Sequence, residues 1–533
     1  MADFTNATGD PVFEGTLRQA LALQLEQSPF LKIMEDVVIR QDLRLMGRGP
    51  GERITSQVAH DICVREAAAA TIEGSIASLG KTYVIALHAV TCQAGATLAR
   101  EQIQAEDKEH VLQALGTAAT AMRIKLGESR ASIQRSSRPL EQFTTRSLEA
   151  LQSYAAGHAE LSQGRPRAAI PFFLRSTELD PQFAMAHFFL AVAYTNTGQI
   201  ARGNESMKSS FALIDRVSER ERLIISGRYH WRVTGELNRA IDIFELTKRS
   251  YPRWWGASNE LGGLYATTGE FEKSIDEYLE TLRLSPRSEV PYRNLASAYI
   301  RLDRFDEAKQ TVDKARAQQL DSSRLHQRLL ELAFLQNDHL ASAREIQWYA
   351  GNAAEYDALA VRGANADALG RRKEAEEFYS QAVAAARRRG VDEAPERFED
   401  DNALAEALTG ECRTARQLRR PALALALCGD SAQTERLVTE ASKTHPNGTI
   451  WNAVQLPAIR AAADLRRDLP AKAIERLTPA VPYERAYPEV PYLRGLAYLR
   501  LGRNEERAAE FRKILDHKGA NWGVFYWLAG RNL

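Results

Sequence analysis

The clearest pattern of apolar and polar positions lies in residues 255–286. Small or apolar residues recur there at helical spacing, first at Leu261, Gly262 and Tyr265 and then, after Gly269, on a second helical face. A glycine between two periodic segments, with a proline after the second, predicts two antiparallel helices joined by a tight turn. Such a pair cannot bury both apolar faces by itself, so the pattern also predicts neighbouring pairs.

The neighbours follow at a fixed period along the chain. Identical residues recur 34 positions apart in five pairs: Pro252 and Pro286, Gly235 and Gly269, Leu261 and Leu295, Tyr265 and Tyr299, and Gly164 and Gly198. This period, with small residues where the helices cross and aromatic residues on both helices, resembles the tetratricopeptide repeat. The resemblance implies an α-solenoid that binds other proteins along its inner surface.

The N-terminal part of the chain has a different pattern. Residues 70–78, 82–92 and 97–104 alternate or run apolar and are separated by glycine turns, which predicts strands, and residues 30–34 predict a further short strand. We therefore expect a mainly α protein in three parts. A small α+β domain with a mixed sheet spans residues 1–135, a linker spans 136–146, and an array of about ten helical hairpins spans 147–533.

Two stretches of the N-terminal domain carry a further resemblance. DFTNATGDPVFEGTLRQAL and IEGSIASLGKTYVIALHAV are similar to a region of large bacterial receptor-type Ser/Thr kinases. In those proteins an α/β domain and a tetratricopeptide array follow a kinase domain and a membrane helix. The sequence has no glycine-rich loop with its strand lysine, no HRD and no DFG, so the resemblance implies the non-catalytic C-terminal region. We therefore expect the reading frame to begin inside a longer gene.

Composition narrows the classes of function. The net charge is +1 with 26% charged residues, so no long-range basic field favours nucleic acid. No apolar run reaches the roughly 18 residues of a membrane span, and no signal peptide is recognised. The sequence predicts a cytoplasmic protein as written, or a periplasmic one if an upstream anchor has been lost.

The four cysteines lie far apart without a CxxC spacing, and we expect them to be buried free thiols.

No catalytic, cofactor-binding or metal-binding residues are predicted. The ten histidines form no HExxH and no other paired ligand spacing. The basic clusters 371–373, 387–389 and 419–420 alternate with acidic residues and are not interleaved with aromatics. They are therefore interpreted as solvated helix faces.

The first helices of the array supply the one candidate binding site. Co-chaperone tetratricopeptide domains hold the terminal carboxylate of a peptide with Lys, Asn and Arg on three successive first helices. The resemblance carries this role onto Asn259, Asn294, Arg324 and Arg328, since they occupy equivalent positions. Asn259 stands where that family has Lys, and Gly263 stands where it has Asn. Forked guanidinium and amide donors suit a carboxylate.

We therefore expect a non-enzymatic protein-interaction scaffold, acting in bacterial signalling or complex assembly through the inner surface of the array. Two alternatives stay open. The chain could be the regulatory half of a kinase-type receptor, with a kinase domain in cis or in trans. It could also be a small-molecule sensor that binds its ligand in the α+β domain.

Overall fold

The computed structural model describes residues 1–49, 51–391 and 393–533. The chain divides into two units. Unit 1 comprises Met1–Tyr229 and Ile243–Trp254, and unit 2 comprises His230–Asp242 and Trp255–Leu533. The boundary predicted between the α+β domain and the array therefore falls inside unit 1.

The α+β domain begins unit 1. Its elements, in chain order, are β1 (Thr5–Ala7), α1 (Thr16–Glu26), α2 (Asp36–Leu45), α3 (Ser56–Arg65), β2 (Ala70–Leu79), β3 (Thr82–Thr91), β4 (Thr97–Ala105) and α4 (Val111–Lys125). The sheet order is β1-β2-β3-β4. β1 pairs with β2 in parallel, whereas β2–β3 and β3–β4 are antiparallel, so the sheet is mixed.

One face of this sheet forms the core of the domain. Ile76 pairs with Ile85, and Ile85 pairs with Ile103, which places these three side chains on the same face. Helix α4 contacts β3 and β4, and α1 contacts α4. The helices bury Leu17 and Leu115 in this core, both with no exposed surface. Alternation along the strands thus sets which face the helices cover.

Residues 30–34, predicted to be a strand, have no regular secondary structure. The Ser28 hydroxyl accepts hydrogen bonds from the backbone N–H groups of Phe30 and Leu31, both at 3.2 Å. Arg253 donates to the Phe30 carbonyl at 2.9 Å. Side chains therefore satisfy backbone groups that a strand would have paired with a neighbour.

The cysteines are paired, so the expectation of free thiols is wrong. Disulfides join Cys63 to Cys92 and Cys412 to Cys428, with Cα–Cα distances of 5.8 Å in both cases. The pairs are separated by 29 and 16 residues in sequence. A search for local CxxC spacing misses them because the fold, and not the sequence spacing, brings each pair together.

In the part of the chain that the structure describes, twenty of the remaining helices form ten helical pairs. Pairs 1 to 7 are α7/α8 (Leu148–Ser162, Pro166–Leu179), α9/α10 (Ala184–Asn196, Ile200–Ala212), α11/α12 (Glu219–Tyr229, Leu237–Ser250), α13/α14 (Trp255–Thr268, Phe271–Leu284), α15/α16 (Glu289–Arg301, Phe305–Ala317), α17/α18 (Ser323–Leu335, His339–Tyr349) and α19/α20 (Glu355–Ala368, Arg372–Arg388). Pairs 8 to 10 are α23/α24 (Ala422–Leu427, Ser431–Thr444), α25/α26 (Leu456–Arg466, Pro470–Arg476) and α27/α28 (Glu489–Arg500, Asn504–Leu515).

Several short or connecting helices complete the chain. They are α5 (Arg130–Ser136) and α6 (Leu140–Phe143) before pair 1, α21 (Ala394–Thr409) and α22 (Arg413–Leu418) between pairs 7 and 8, and α29 (Lys518–Asn521) and α30 (Val524–Asn532) at the end. The segment predicted to be a linker contains α6, whose Leu140 and Phe143 are buried. Among the described residues, no helix combines the length and the hydropathy needed to cross a membrane.

A glycine opposite an aromatic ring defines the crossing of the helices in five of the pairs. A Cβ atom at the glycine would lie only 2.5 to 3.0 Å from the nearest ring atom, so no larger residue fits without movement. The aromatic residue follows 16 or 17 positions after the glycine in each case: Gly157 and Phe173, Gly227 and Phe244, Gly262 and Tyr278, Gly363 and Tyr379, and Gly495 and Phe511.

Each of the first two pairs also contains an equivalent buried hydrogen bond between its two helices. The Ser176 hydroxyl donates to the Ala150 carbonyl at 2.8 Å, and the Ser210 hydroxyl donates to the Ala184 carbonyl at 3.0 Å. Donors and acceptors are each 34 residues apart, so the repeat period is reproduced in the bonding between helices.

Within unit 1 the α+β domain packs directly against the first pairs. Arg40 on α2 donates to the Ser162 hydroxyl of α7 at 2.9 Å. Glu26 at the end of α1 forms an ion pair with Arg220 of α11 at 2.8 Å. The domain is therefore joined to the repeats by side-chain contacts as well as by the chain.

Within unit 2, the loops that follow late pairs contact the turns inside early pairs. Three such contacts join Thr449 to Gly235 (N to O, 2.8 Å), Arg485 to Glu272 (2.9 Å) and Gly519 to Asp303 (N to Oδ1, 2.5 Å). They fall on pairs 3, 4 and 5 in order. Consecutive pairs in a solenoid normally contact only their neighbours, so these contacts add long-range order to unit 2.

Helix α11 of unit 1 begins with a capping box that contains a buried acid. The Ser218 N–H and hydroxyl donate to Glu221 Oε2 at 2.9 and 2.8 Å, and the Glu221 N–H donates to Ser218 Oγ at 3.3 Å. Burial raises the pKa of Glu221 from 4.5 to about 7, against the lowering effect of these hydrogen bonds.

Replacing Glu221 with Gln is expected to raise the thermal stability at pH 8 and to leave it unchanged at pH 4. The raised pKa means that the wild type loses stability as pH rises from about 4.5 to about 7, because the buried carboxyl must then ionise. The gain at pH 8 is on the order of 3 kcal/mol, which corresponds to the rise of the pKa from 4.5 to about 7. Thermal unfolding across this pH range measures it. The control is Glu219→Gln, a partly exposed acid on the same helix. Equal pH profiles for both variants would contradict the assignment.

Alkylation of the unfolded protein, prepared without reductant, is expected to modify none of its cysteines. Reduction before alkylation is expected to modify all four. Replacing Cys412 and Cys428 together with Ala is expected to cost about 2–4 kcal/mol of stability, since the unfolded chain loses a constraint. Mass spectrometry counts the alkylated residues. Two or more modified cysteines without reduction would contradict the pairing.

Candidate functional site

The four predicted binding residues lie on the first helices of three successive pairs. Asn259 is on α13, Asn294 is on α15, and Arg324 and Arg328 are on α17. Helices α13, α15, α17 and α19 contact one another in succession. First helices line the inner surface of a repeat stack, and this inner surface is called the groove below.

The structure brings Asn259 and Asn294 together. The Asn294 side-chain amide donates to Asn259 Oδ1 at 2.8 Å. This bond joins neighbouring pairs and uses one donor of Asn294 and one acceptor of Asn259. A side-chain amide has two donors and two acceptor lone pairs, so both residues keep hydrogen-bonding capacity for a ligand.

Arg328 is held by contacts on both sides of its guanidinium group. Its Nη1 donates to the Ser297 hydroxyl at 3.3 Å, and its Nη2 lies 2.9 Å from Glu331 Oε1. Its Nε is buried and has no hydrogen-bond partner among the described residues. Arg324, one helical turn earlier, is exposed.

Arg293 connects the two asparagines with the two arginines and was not predicted. Its Nε donates to Asn294 Oδ1 at 3.2 Å, and its Nη1 lies 3.7 Å from Glu289. Burial lowers the pKa of Arg293, and the positive charges of Arg324 and Arg328 act in the same direction. The three guanidinium groups therefore share one positive region. The one feature of the sequence that could have identified Arg293 is its position directly before Asn294.

Further charged groups surround this region. Arg301, on the same helix as Arg293, is exposed. Desolvation by its neighbours lowers the pKa of its guanidinium group, and the charge of Arg328 adds to the effect. Burial raises the pKa of Asp357 at the start of α19, while Arg324 and Arg397 counteract it. The groove thus combines four arginines with a smaller number of acidic residues on α15, α17 and α19. Counting equivalent positions along the sequence did not predict these acidic residues.

The Gly263 position departs from the co-chaperone pattern for a steric reason. A Cβ at Gly263 would overlap Cη2 of Trp231 and lie 3.2 Å from its Cζ2. The Arg232 guanidinium stacks over the same indole ring, 3.7 Å from its centroid. An asparagine side chain therefore does not fit at position 263 unless Trp231 moves. The Trp231 indole occupies the space that the asparagine amide of the co-chaperone pattern would need.

The arrangement suits recognition of an anion. Three guanidinium groups and two amides offer forked and single donors, which are the groups that bind carboxylates most tightly. Among the residues described, no group of three or more His, Cys, Asp or Glu side chains is placed to hold a metal ion.

Comparison with known families agrees with the repeat geometry. Residues 154–202 and residues 292–315 each match a family model described as tetratricopeptide repeat. The first match covers pair 1 and part of pair 2, and the second covers pair 5. The fold defines a helical-repeat protein preceded by a small α+β domain. Within residues 154–202 and 292–315 the helical pairs are similar to tetratricopeptide repeats.

Solved structures of repeat proteins overlap parts of the chain. PilF of Pseudomonas aeruginosa is 17% identical, with 39% of this chain and 95% of that chain covered and a TM-score of 0.28. A tetratricopeptide repeat protein of Parabacteroides merdae is 12% identical, with 47% and 99% covered and a TM-score of 0.30. A tetratricopeptide protein of Thermus thermophilus is 23% identical, with 33% and 94% covered and a TM-score of 0.26. No curated protein sequence matches the chain.

Replacing Gly263 with Ala is expected to destabilise unit 2 by about 1–3 kcal/mol, because the new methyl group collides with the Trp231 indole. In a Trp231→Leu background the same substitution is expected to cost less than about 1 kcal/mol, since the obstacle is gone. Chemical unfolding of the four proteins in this double-mutant cycle measures the coupling. Equal costs of Gly263→Ala in both backgrounds would show that Trp231 does not occupy this space.

Proposed function

We propose that the chain is a non-enzymatic protein-interaction scaffold whose groove binds a polypeptide through a carboxylate. The observation that carries the proposal is the set of donors on three successive first helices. Asn259 and Asn294 are hydrogen-bonded to each other, and Arg293 lies beside Asn294 and within the field of Arg324 and Arg328. Tetratricopeptide repeats are in general non-catalytic, which agrees with this role.

A polypeptide is favoured over a small anion because of the spacing of the donors. Neighbouring packed helices lie about 8–10 Å apart, so donors on α13 and α17 are separated by about two such steps. An extended chain spans that distance with a few residues and can present a carboxylate at one end.

We further propose that the scaffold acts in signalling or complex assembly outside the reducing cytoplasm. The likeness of two N-terminal stretches to receptor-type kinases supports a signalling context, with a kinase domain in cis or in trans as one partner class. The two disulfides support an oxidising compartment such as the periplasm, because disulfides are rare in reducing compartments.

Charge reversal in the groove is expected to weaken binding of a peptide that ends in acidic residues. Arg324→Glu and Arg328→Glu each replace an attractive charge with a repulsive one, and each is expected to raise the Kd by about tenfold or more. Isothermal titration against a panel of acidic-ended peptides, each also prepared with an amidated C-terminus, measures this.

The matched control is Arg344→Glu, which makes the same change at an exposed position on the second helix α18. Its Kd is expected to equal that of the wild type. Equal affinity of the wild type for free and amidated C-termini, or an equal loss in all three variants, would contradict carboxylate recognition in the groove.

A further inference from the structure

The segment from Lys518 to Trp527, called the strap below, crosses the turns of three successive pairs in unit 2. The Gly519 N–H donates to Asp303 Oδ1 in the turn of pair 5, and Lys518 Nζ donates to the Leu335 carbonyl of pair 6, both at 2.5 Å. From pair 5, Arg301 Nη1 also donates to the Ala520 carbonyl at 3.0 Å. Three contacts of different chemistry thus hold the first three residues of the strap.

The remainder of the strap is anchored by two indoles. Trp522 Nε1 donates to Asn365 Oδ1 on α19 at 3.2 Å, and the indole packs against the buried apolar cluster shared by pairs 4, 5 and 6. The Lys518 ammonium group lies 4.4 Å from the centroid of the same ring. The Trp527 indole lies against Gly370 in the turn of pair 7. The strap therefore contacts three successive pairs, 5, 6 and 7.

The packing around Gly519 leaves no room for a side chain. A Cβ at this residue would overlap the Ile300 carbonyl oxygen and lie 2.9 Å from the carbonyl carbon. Both atoms belong to the backbone of α15, so the neighbour cannot move aside as a flexible side chain would. Contact between strap and pair 5 at this point depends on the absence of a side chain.

We propose that the strap is a conformational clamp that fixes the curvature of pairs 5 to 7. Pairs in a solenoid contact their neighbours along one direction, so the array bends when neighbouring pairs rotate slightly against each other. A segment bonded to three successive turns resists that rotation, because bending changes the distances between the turns.

Arg301 connects the strap with the groove. This residue bonds to Ala520 of the strap, and it lies within the electrostatic range of Arg328 and Glu331 on α17. Loosening the strap therefore releases a positive group beside the candidate binding residues. The clamp goes beyond the proposed binding function and stands without it, because its evidence is contacts within the chain.

The sharpest test compares two glycine-to-alanine variants. Gly519→Ala places a methyl group on the Ile300 carbonyl and must lift the strap, whereas Gly530→Ala on α30 has its nearest neighbour, Leu515 Cδ2, at an ordinary 3.8 Å. Hydrogen-exchange mass spectrometry of the full chain is expected to show about tenfold faster exchange at the ends of α15, α17 and α19 in Gly519→Ala only. Exchange at wild-type rates in those helices would overturn the proposal.

A second pair of variants keeps the test decisive if Gly519→Ala fails to fold. Trp522→Ala removes the indole and its bond to Asn365, and Trp451→Ala removes a half-buried indole that donates to the Ser442 hydroxyl at the same 3.2 Å. Faster exchange in α15, α17 and α19 with Trp522→Ala alone supports the clamp. Equal effects of both variants on those helices would refute it. Neither result depends on whether any peptide binds.

Discussion

The array depends on close approach of the two helices within each pair. At Gly262 the absence of a side chain lets the Tyr278 ring lie where a Cβ would otherwise stand, and the same arrangement recurs at Gly157 and Phe173. The ring fills the space between the helices and is buried, so apolar burial and steric fit both favour one crossing geometry. The contact recurs in pairs 1, 3, 4, 7 and 10, and pair 4 is the first of the three pairs that form the groove.

Because the second helices supply the rings, the first helices are free to carry polar residues on their other face. This explains how Asn259, Asn294 and Arg328 come to lie on successive helices without belonging to the core. Their own contacts, such as the amide bond between the asparagines and the Arg328–Glu331 ion pair, order the side chains before any ligand arrives. Ordered side chains lose less conformational entropy on binding.

Long-range contacts give unit 2 an organisation that a simple stack lacks. Loops after pairs 8 and 9 meet the turns of pairs 3 and 4, through Thr449 and Arg485, and the strap continues this series over pairs 5 to 7. The apolar sequence of the terminal helix has its explanation here. Leu528 and Ala529 are buried, and Trp527 packs at Gly370, so this surface is covered within unit 2.

The repeat architecture could be predicted from sequence because its determinants are local and periodic. Leu261 and Tyr265 recur 34 residues later, and Gly269 follows Gly235 by the same distance. The α+β domain was predicted for a similar reason, since alternation along β2 and β3 marks the covered face. The candidate residues of the groove were reached by counting equivalent positions, and the structure places all four on first helices.

Features that depend on contacts distant in sequence were missed. The Cys63–Cys92 and Cys412–Cys428 bonds form because the fold brings each pair of Cα atoms within 5.8 Å. The strand expected at residues 30–34 fails because Ser28 and Arg253 take its backbone groups. Arg293 was overlooked because its importance lies in the charges of a neighbouring helix, and the close contact between Gly263 and the Trp231 indole joins two different pairs. None of these leaves a periodic signal.

The central claim is that the first helices of pairs 4 to 6 form the binding surface. Photo-crosslinking tests it most directly, with an acidic-ended peptide that carries a photoreactive group beside its terminal carboxylate, followed by mass spectrometric mapping on the wild-type chain. The account predicts cross-links on α13, α15 and α17. Cross-links confined to the second helices α14, α16 and α18, or to the α+β domain, would contradict it.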